Sequence, residues 1–426
     1  MISVVTTGDS LATMRLSVFD EAPYRALLKI IRSVDVSFTN LEMLTTDYDG
    51  YPAAESGGTY VVGPPYMTEE FRWMGFNLYA RANNHALDYG EGGLIATSAI
   101  LDRLGMVHAG VGRNLGEARA PAYLVTKNGR VALISMSSSF ASFGRAGHAR
   151  SDMKGRPGLN PLRYETRFVV RKETMAQVKR MFEELGITPK KEKDGVISFM
   201  NLRFSVGKPA IVTLPNETDV KEISKSIRDA KRQADYVLVS LHSHEPLGAN
   251  REAPAGFIPT FCHKCVDEGA DAIIGHGPHL LRGIEIYKKK PIMYSLGNFI
   301  FQNETIRFLP HDIYDRFGLT GEATPADLYD IRGRDGKPDE RGHKWFTYDP
   351  LYWEAIVAHF SLGPSGVADL QVHPITLGVE KPRSRRGRPV LAEGDNAKRI
   401  LERLQRLSLE FGTRIRIENN VGRVLV

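Results

Sequence analysis

The chain has 426 residues, of which 42% are hydrophobic and 25% are charged, and its formal net charge is +6. This composition is that of a globular protein with a sizeable core, and the length allows one large domain with insertions or several smaller domains. No run of about 18 apolar residues is present in the sequence, so no membrane span is expected. The opening MISVVTTGD lacks the basic and apolar regions of a signal peptide, which favours a cytoplasmic location.

Strand and helix patterns alternate along the chain. Apolar residues predict strands at 2–7, 34–40 and 77–85, helices at 23–34 and 93–105, and a hairpin at 122–138. The alternation resumes with helices at 219–234 and 255–270, strands at 235–245 and 271–279, a hairpin at 283–301, strands at 352–362 and 368–377, and a last helix at 397–411. This pattern predicts a layered α/β sandwich.

Three segments interrupt the pattern and are predicted to be insertions, at about 43–67, 145–217 and 303–350. Weakly patterned segments of this length within a compact domain are typical of lids and binding loops. We therefore expect one core domain over residues 1–379 that carries these insertions. Residues 380–426 are expected to form a basic linker and a C-terminal helix that packs on the core.

A basic run and a cysteine pair are interpreted as structural features, and they give no support to a nucleic-acid interface or a structural zinc site. The run KPRSRRGRP at 381–389 has no interleaved aromatic residues, so we interpret it as a solvated linker and expect no nucleic-acid partner. Cys262 and Cys265 lack a second cysteine pair for a structural zinc site, and we interpret both as core residues of a helix. A chain of this size without a disulfide framework is typical of a reducing compartment.

Polar side chains follow five of the predicted strands, at the point where each strand ends. They are Asp9; Asn40 and Glu42; Asn83, Asn84 and His85; His242 and His244; and His276 and His279. Functional sites of open α/β sheets form at the carboxyl ends of strands. So many polar groups in a dry core would each need a partner, and a divalent metal would serve them all.

Each of these residues also has an ordinary structural explanation. Asp9 could cap the following helix, Glu42 could be a surface carboxylate, and Asn84 could make a turn contact. His242 could be a core histidine with satisfied hydrogen bonds, and His244 could share its face or leave the strand. The common position at strand ends favours a metal centre over these separate explanations.

Six segments, in this order, resemble the motifs of the CapA (poly-γ-glutamate capsule biosynthesis) family: TTGDSL, TNLEM, RANNHALDYG, LVSLHSHE, IIGHGPHLLRGIE and YSLGNFIF. The resemblance extends from residue 1 to about residue 302. It implies the calcineurin-like metallophosphatase fold, a four-layer α-β-β-α sandwich with a two-metal pocket at the strand ends. The capsule-synthesis members act at the cell surface through a membrane anchor, and the expected absence of an anchor departs from them.

The resemblance also implies the roles of individual residues. The implied metal ligands are Asp9, Glu42, Asn84, His242, His276 and His279. His85 takes the position of the general-acid histidine, and Asp88 could orient its imidazole. The wider superfamily begins with Asp-x-His, whereas Leu11 stands here, so one metal is expected to be weakly held or absent. The expected cofactor is one or two divalent ions, for which Mn, Fe, Zn and Mg remain open.

These observations lead to the hypothesis of a metal-dependent hydrolase for a phosphoester or a γ-glutamyl or peptide-type amide, linked to poly-γ-glutamate or capsule metabolism. Metals would activate water and His85 would protonate the leaving group. Four arginines are expected near the rim of the pocket and favour an anionic or peptide-like substrate: Arg81, Arg113, Arg145 and Arg150.

Two alternatives stay open at this point. The same site could transfer protons, as in a peptide epimerase, with Asp9 and His279 as catalytic acid and base. The protein could instead be a non-catalytic accessory subunit of polymer synthesis or export.

Overall fold

The computed structural model describes residues 1–191, 195–333, 337 and 348–426. The strands are β1 (Ile2–Leu11), β2 (Val36–Leu41), β3 (Leu44–Thr45), β4 (Val62–Gly63), β5 (Leu78–Ala80), β6 (Val107–Ala109), β7 (Val111–Gly112), β8 (Ala122–Thr126), β9 (Gly129–Ser137), β10 (Gly158–Leu159), β11 (Tyr164–Val170), β12 (Lys190–Lys191), β13 (Ile197–Phe199), β14 (Leu202–Val206), β15 (Ala210–Pro215), β16 (Tyr236–His242), β17 (Pro246–Leu247), β18 (Asn250–Pro254), β19 (Ala272–His276), β20 (Leu281–Tyr287), β21 (Lys290–Leu296), β22 (Asn298–Phe301), β23 (Glu354–Gly363), β24 (Gly366–Thr376), β25 (Val390–Leu391), β26 (Ile415–Glu418) and β27 (Val421–Val424). The helices are α1 (Ala22–Arg32), α2 (Met67–Met74), α3 (Gly90–Arg103), α4 (Leu115–Arg119), α5 (Lys172–Glu184), α6 (Glu217–Gln233), α7 (Phe257–Asp267), α8 (His311–Arg316), α9 (Pro325–Gly333) and α10 (Gly394–Leu409).

Two large sheets organise these strands. The first has the order β26-β27-β24-β23-β1-β2-β5-β6, with β22 beside β1 and β25 beside β24. The second has the order β20-β21-β19-β16-β9-β8. Strands β1, β2, β5 and β6 run parallel to one another, as do β9, β16 and β19. Each sheet therefore has one edge at which several carboxyl ends of strands meet.

Alternation along the strands separates an inner core from two outer ones. Ile2 and Val4 of β1 lie in the core between the sheets, with Leu238 of β16. Val5 faces the opposite way and packs in the cluster that includes α1 and α2. Val239 likewise faces α6 and α7 on the outside of the second sheet. The predicted four-layer α-β-β-α sandwich is therefore confirmed.

A close backbone approach at Gly8 distorts β1 just before Asp9. The register between β1 and β2 shifts between Thr6 and Asp9. A Cβ atom at Gly8 would lie only 1.8 Å from the carbonyl oxygen of Gly297, which accepts a 3.1 Å hydrogen bond from the Asp9 amide. Only glycine allows the two backbones to come this close.

The segments predicted to be insertions form small structures of their own. Residues 145–217 contain α5 and a five-stranded sheet of order β12-β13-β14-β11-β15. Residues 43–67 contain the short parallel pair of β3 and β4. Residues 303–350 contain α8 and α9, while 334–336 and 338–347 of this segment lie outside the described residues.

The C-terminal segment completes the inner core and extends the first sheet. Ile400, Leu401 and Leu404 of α10 are buried among residues of both sheets. A hairpin of β26 and β27, which the sequence analysis did not predict, pairs with β24. Its turn residues Asn419 and Asn420 have φ angles of 50° and 61°, a conformation that asparagine tolerates.

The interpretation of the basic run as a solvated linker is wrong for two of its arginines. Arg386 and Arg388 are 9% and 7% exposed. The Nε atom of Arg386 donates to Glu304 over 2.7 Å, and Nη2 of Arg388 donates to Glu21 over 2.6 Å. The Arg388 guanidinium also lies 4.0 Å from the ring centroid of Phe19. Glu304 precedes Arg386 by 82 residues and Glu21 precedes Arg388 by 367 residues, so the local composition could not reveal these partners.

We expect Gly8→Ala to destabilise the protein by about 1–3 kcal/mol, because the added methyl group would collide with the Gly297 carbonyl. The midpoint of urea unfolding measures this change. Gly321→Ala is the matched control, since a Cβ atom at Gly321 would meet no atom within 4 Å. Equal midpoints for the two variants would contradict the steric explanation.

Candidate metal centre

Carboxyl ends of parallel strands from both sheets meet at one buried place. Asp9 of β1 pairs in register with Asn40 of β2, and His242 of β16 pairs in register with His276 of β19. Oδ1 of Asp9 lies 3.5 Å from Nδ1 of His276 and 3.8 Å from Nδ1 of His242. The first sheet thus contributes a carboxylate and the second contributes imidazoles.

Two hydrogen bonds orient the Asp9 carboxylate. Oδ1 accepts from Nδ2 of Asn40 over 2.8 Å, and Oδ2 accepts from the Gly277 amide over 2.9 Å. Oδ2 also lies 3.6 Å from Nδ1 of His279. A carboxylate has about four acceptor positions, so these bonds leave lone pairs for a cation.

Glu42 is a buried carboxylate without a hydrogen-bond partner on either oxygen. Oε1 lies 3.5 Å from Nε2 of His242 and 3.8 Å from Nε2 of His279. Burial and the neighbouring Asp9 carboxylate raise the pKa of Glu42 well above its ordinary value. An unpartnered buried charge costs several kcal/mol, and a divalent cation would remove that cost.

The histidines around these carboxylates are held in their neutral form. Nδ1 of His242 lies 3.0 Å from Nδ1 of His276, and its Nε2 lies 3.0 Å from Nε2 of His244. Burial lowers the pKa of His276 to about 4 and lowers those of His242 and His244 well below the ordinary value. A hydrogen bond of 2.6 Å joins Nε2 of His276 to the Ser240 hydroxyl. Neutral imidazoles oriented by outer partners are the form that binds metals.

Among the residues that the structure describes, three groups of side chains place their ligand atoms within 4.8 Å of one another. They are Asp9, His242 and His276; Glu42, His242 and His244; and Asp9, Glu42 and His279. Mixed carboxylate and imidazole sets suit divalent ions such as Mn, Fe and Zn. The orphaned Glu42 oxygens and this donor set fit a metal centre of one or two ions.

His279 has a constrained backbone and a defined ring orientation. Its φ angle is 61°, which is uncommon for a residue other than glycine and is typical of functional sites. Its Nδ1 lies 2.8 Å from Oδ1 of Asn298, whose Nδ2 donates to two carbonyl oxygens. The Asn298 oxygen is therefore the acceptor, and the Nε2 lone pair of His279 faces Glu42.

His85 and Asp88 form a buried pair beside the centre. Nδ1 of His85 lies 2.7 Å from Oδ2 of Asp88. The same carboxylate accepts hydrogen bonds from the amides of Gly57 and Val61. Asp88 thus fixes the ring of His85 and directs Nε2 away from itself, as the sequence spacing suggested.

The asparagines at the strand ends have different surroundings. Asn83 donates to Oδ1 of Asn40 over 3.2 Å and supports the Asp9–Asn40 hydrogen bond from behind. Asn84 donates to the carbonyl of Gly57 over 2.9 Å, and its Oδ1 is buried without a partner. That free oxygen is compatible with metal ligation, and the ligand role of Asn84 stays a prediction.

His244 is the residue that the implied ligand set left out. It lies within the group that contains Glu42 and His242, although Leu11 stands where the superfamily has an imidazole. The sequence feature that indicates a place for His244 in the site is its position two residues after His242. This spacing allows both side chains to point the same way from an extended chain.

A cavity of about 280 Å³ adjoins the centre. His85, His244 and His279 line it, together with Leu11 and Phe301. The first predicted insertion contributes a loop that includes Gly57. A Cβ atom at Gly57 would lie 2.6 Å from Nδ2 of Asn84, so glycine is required where this loop meets the strand end.

The prediction for the four arginines at the rim is wrong, because none of them lines this cavity. Arg81 is 1% exposed and donates to the Ser98 hydroxyl. Arg113 and Arg150 are exposed and form ion pairs with nearby acidic residues, and Arg145 is also exposed. The arginine in the cavity wall is Arg332 of α9.

The four-layer sandwich, with carboxylates and imidazoles at the strand ends of both sheets, defines a protein of the calcineurin-like metallophosphatase fold with a candidate metal centre. The family model of the bacterial capsule synthesis protein PGA_cap matches residues 4–303, and the chain belongs to this family. The resemblance to CapA proteins is therefore confirmed.

The proteins to which this chain is similar match it over different shares of their own lengths. The uncharacterized protein y4sH of Sinorhizobium fredii is 38% identical over 99% of this chain and 92% of its own length. The capsule biosynthesis protein CapA of Bacillus anthracis is 27% identical over 65% of this chain and 53% of its own length. The PGA biosynthesis protein CapA of Bacillus subtilis is 25% identical over 64% of this chain and 56% of its own length. This chain thus spans little more than half of the two CapA proteins.

Solved structures show weaker similarity. A protein described as a novel phosphatase of Mycoplasma pneumoniae has 11% identity and a TM-score of 0.41, covering 88% of this chain and 93% of that one. A hypothetical protein of Thermus thermophilus has 14% identity and a TM-score of 0.37, and the match covers 88% of this chain and 98% of that one. Within the described residues, no helix has the length and apolar character needed to cross a membrane.

Because Leu11 stands where the resemblance implies a histidine, we expect the purified protein to retain fewer than two metal ions per chain after extensive dialysis. Elemental analysis measures the content. Leu11→His should raise it, since residue 11 lies two positions after Asp9 on the same face of β1. Leu409→His, on an exposed position of α10, is the control. Two ions retained by the unaltered protein would contradict this expectation and identify His244 as the residue to replace next.

Metal-free protein should gain stability through His276 as the pH rises from about 4 to 6.5. The folded-state pKa of about 4 lies below the ordinary 6.5, so in this range the unfolded chain binds a proton that the folded chain does not. The raised pKa of Glu42 makes the stability fall as the pH rises, which opposes the effect of His276. Glu42 is present in both of the proteins compared below, so its contribution is the same in each. Urea unfolding of the unaltered protein and His276→Gln at several pH values isolates the effect. The same pH slope in both proteins would refute it.

Proposed function

We propose that the protein is a metal-dependent hydrolase of the capsule synthesis family, acting on a phosphoester or a γ-glutamyl or peptide-type amide. The observation that carries the proposal is the buried Glu42 carboxylate, which has no protein partner and is surrounded by Asp9 and neutral imidazoles. The family name and the two CapA relatives support a link to poly-γ-glutamate or capsule metabolism.

The residues divide into two roles in this proposal. Asp9, Glu42, His242 and His276 would hold the cation, with His244, His279 and Asn84 as further ligands. A bound divalent ion would supply Lewis-acid activation of water and polarisation of the scissile group.

His85 is the proposed general acid. It lines the cavity, and Asp88 accepts the hydrogen bond from its Nδ1. This arrangement leaves Nε2 to deliver a proton to the leaving group. The Asp88 carboxylate in turn is held by two backbone amides, so the imidazole keeps one orientation during the reaction.

The proton-transfer alternative has less support. It requires Asp9 to reach the substrate, but Asp9 is 0% exposed and each of its oxygens already accepts a hydrogen bond. Incorporation of solvent deuterium into a peptide without cleavage would favour this alternative. A metal-loaded protein that is inert towards broad phosphoester and peptide panels would favour the accessory-subunit alternative.

We expect His85→Asn to lower turnover by about 10²–10⁴-fold while metal content stays nearly unchanged, because the ring acts on the substrate. Asp88→Asn should have a smaller effect in the same direction, since it only orients the imidazole. His276→Ala should remove metal as well as activity. Steady-state kinetics and elemental analysis of the same preparations measure both quantities.

Loss of metal in His85→Asn would mean that His85 is itself a ligand. Unchanged turnover in His85→Asn, together with an inactive His279→Ala that keeps its metal, would favour proton transfer over hydrolysis. The exposed His311→Asn, in α8, serves as the control for replacing a histidine away from the centre.

A further inference from the structure

One arginine joins the two loops that carry histidines of the candidate centre. Arg282, near the start of β20, follows His279 by three residues, and its side chain reaches the loop after β16. Its Nη2 donates to the carbonyls of His244 and Glu245 over 3.0 and 3.1 Å, and its Nη1 donates to that of Ser243 over 3.4 Å. A single guanidinium therefore binds three successive carbonyls of the loop that contains His244.

This guanidinium is charged and fully buried. Arg282 is 0% exposed, and burial lowers its pKa to about 10, which leaves it protonated at neutral pH. Its Nε donates to the Arg251 carbonyl over 3.2 Å, so every hydrogen bond described for this side chain goes to a backbone carbonyl. A buried cation is costly unless its donors are satisfied. The loop must therefore keep the shape that presents these carbonyls to Arg282.

The backbone amide of His244 is held as well as its carbonyl. It donates to Oγ of Ser139 over 2.7 Å. The Ser139 hydroxyl donates in turn to Oε1 of Glu245 over 2.8 Å, and Oε2 of the same carboxylate accepts from the Ser138 hydroxyl over 2.7 Å. Hydrogen bonds on both sides of His244 thus fix the point from which its imidazole extends.

The loop that contains His276 and His279 packs directly against the loop of His244. The Ser243 amide donates to the carbonyl of His276 over 2.8 Å. Gly277 has a φ angle of 117°, and a Cβ atom there would lie 2.8 Å from the Ser243 nitrogen and 3.1 Å from Cδ2 of His244. Glycine is required at this contact, which leaves the ring of His244 little room to shift towards residue 277.

The imidazole of His244 faces other candidate ligands. Its Nε2 lies 3.0 Å from Nε2 of His242, and both rings belong to the group that includes Glu42. Two neutral imidazole nitrogens that face each other at this distance can share one proton or bind one cation. The ligand set that the family resemblance implies does not contain His244, so its place in the centre is a feature of this chain.

We propose that His244 is a metal ligand added to the family set, and that Arg282 is the positioning residue that holds it at the centre. This inference rests on the proposed function, because it takes the bound cation of that function as its starting point. Arg282 donates to the backbone of the loop, so it acts on the cation through the placement of His244.

Titration of the chelator-treated full chain with Co²⁺, followed by visible absorption, tests the proposal. We expect Arg282→Met to weaken Co²⁺ binding by about 10–100-fold, as loss of a group that orients a ligand predicts. Arg282→Lys should restore part of the affinity, since its ammonium group can still donate to carbonyls. His244→Gln and Arg282→Met should change the Co²⁺ spectrum in the same way, because both displace the same nitrogen from the metal.

A double variant distinguishes positioning from a general structural role. If Arg282 acts through His244, adding Arg282→Met to His244→Gln should weaken Co²⁺ binding by less than about twofold more, because the two effects are coupled. A further loss as large as that of Arg282→Met alone would overturn the proposal.

Arg388→Met is the matched control. Arg388 is also a buried arginine, 7% exposed, but its partner Glu21 lies outside the candidate centre. We expect Co²⁺ binding to be unchanged in this variant. A loss equal to that in Arg282→Met would show a general effect of removing a buried arginine and would overturn the proposal.

Thermal unfolding checks that each variant is folded. If Arg282→Met is not, Ser139→Ala decides, since it removes the acceptor of the His244 amide and keeps the arginine. It should weaken Co²⁺ binding in the unaltered protein and have little effect in His244→Gln. Unchanged Co²⁺ binding in His244→Gln would overturn the proposal even if the protein cleaves a substrate. A protein that binds Co²⁺ through His244 and cleaves nothing would refute the proposed hydrolase and leave this inference intact.

Discussion

A buried carboxylate without a protein partner is the constraint on which the rest of the site depends. Glu42 lies among groups that cannot neutralise it, because burial keeps the nearby imidazoles uncharged and Asp9 adds a second negative group. Such an arrangement costs free energy that the folded core must offset. A fold that retains this cost has a use for it, and a cation accounts for the carboxylates and the histidines together.

The two sheets contribute complementary chemistry to this place. The first supplies candidate oxygen ligands through Asp9 and Glu42, with Asn40 as the support of Asp9, and the second supplies candidate nitrogen ligands through His242 and His276. Neither sheet alone could hold a mixed set, so the centre exists only when the sheets have packed through their shared apolar face. Formation of the inner core and formation of the site are therefore one event.

Periodicity and strand ends allowed the sandwich and the convergence of most site residues to be predicted, because parallel strands must bring their carboxyl ends to one edge. Side-chain direction and distant partners were beyond that reasoning. Arg81 follows a strand, yet its side chain turns into the core towards Ser98. His244 could have continued the face of His242 or left it, and the sequence did not decide. The basic run looked solvated because Glu21 and Glu304, which bury its arginines, are far away in the chain.

The contacts of the basic run also set an order of events during synthesis on the ribosome. Arg383 donates to Asp330, two residues before Arg332, and Arg386 pairs with Glu304, next to Asn303. The wall of the cavity is thus anchored by residues that follow it in the chain by 53 and 82 positions. The candidate metal ligands all lie within the first 279 residues. Because the inner core that brings the two sheets together also includes Ile400, Leu401 and Leu404 of α10, a nascent chain cannot complete the candidate metal centre until these later residues have left the ribosome.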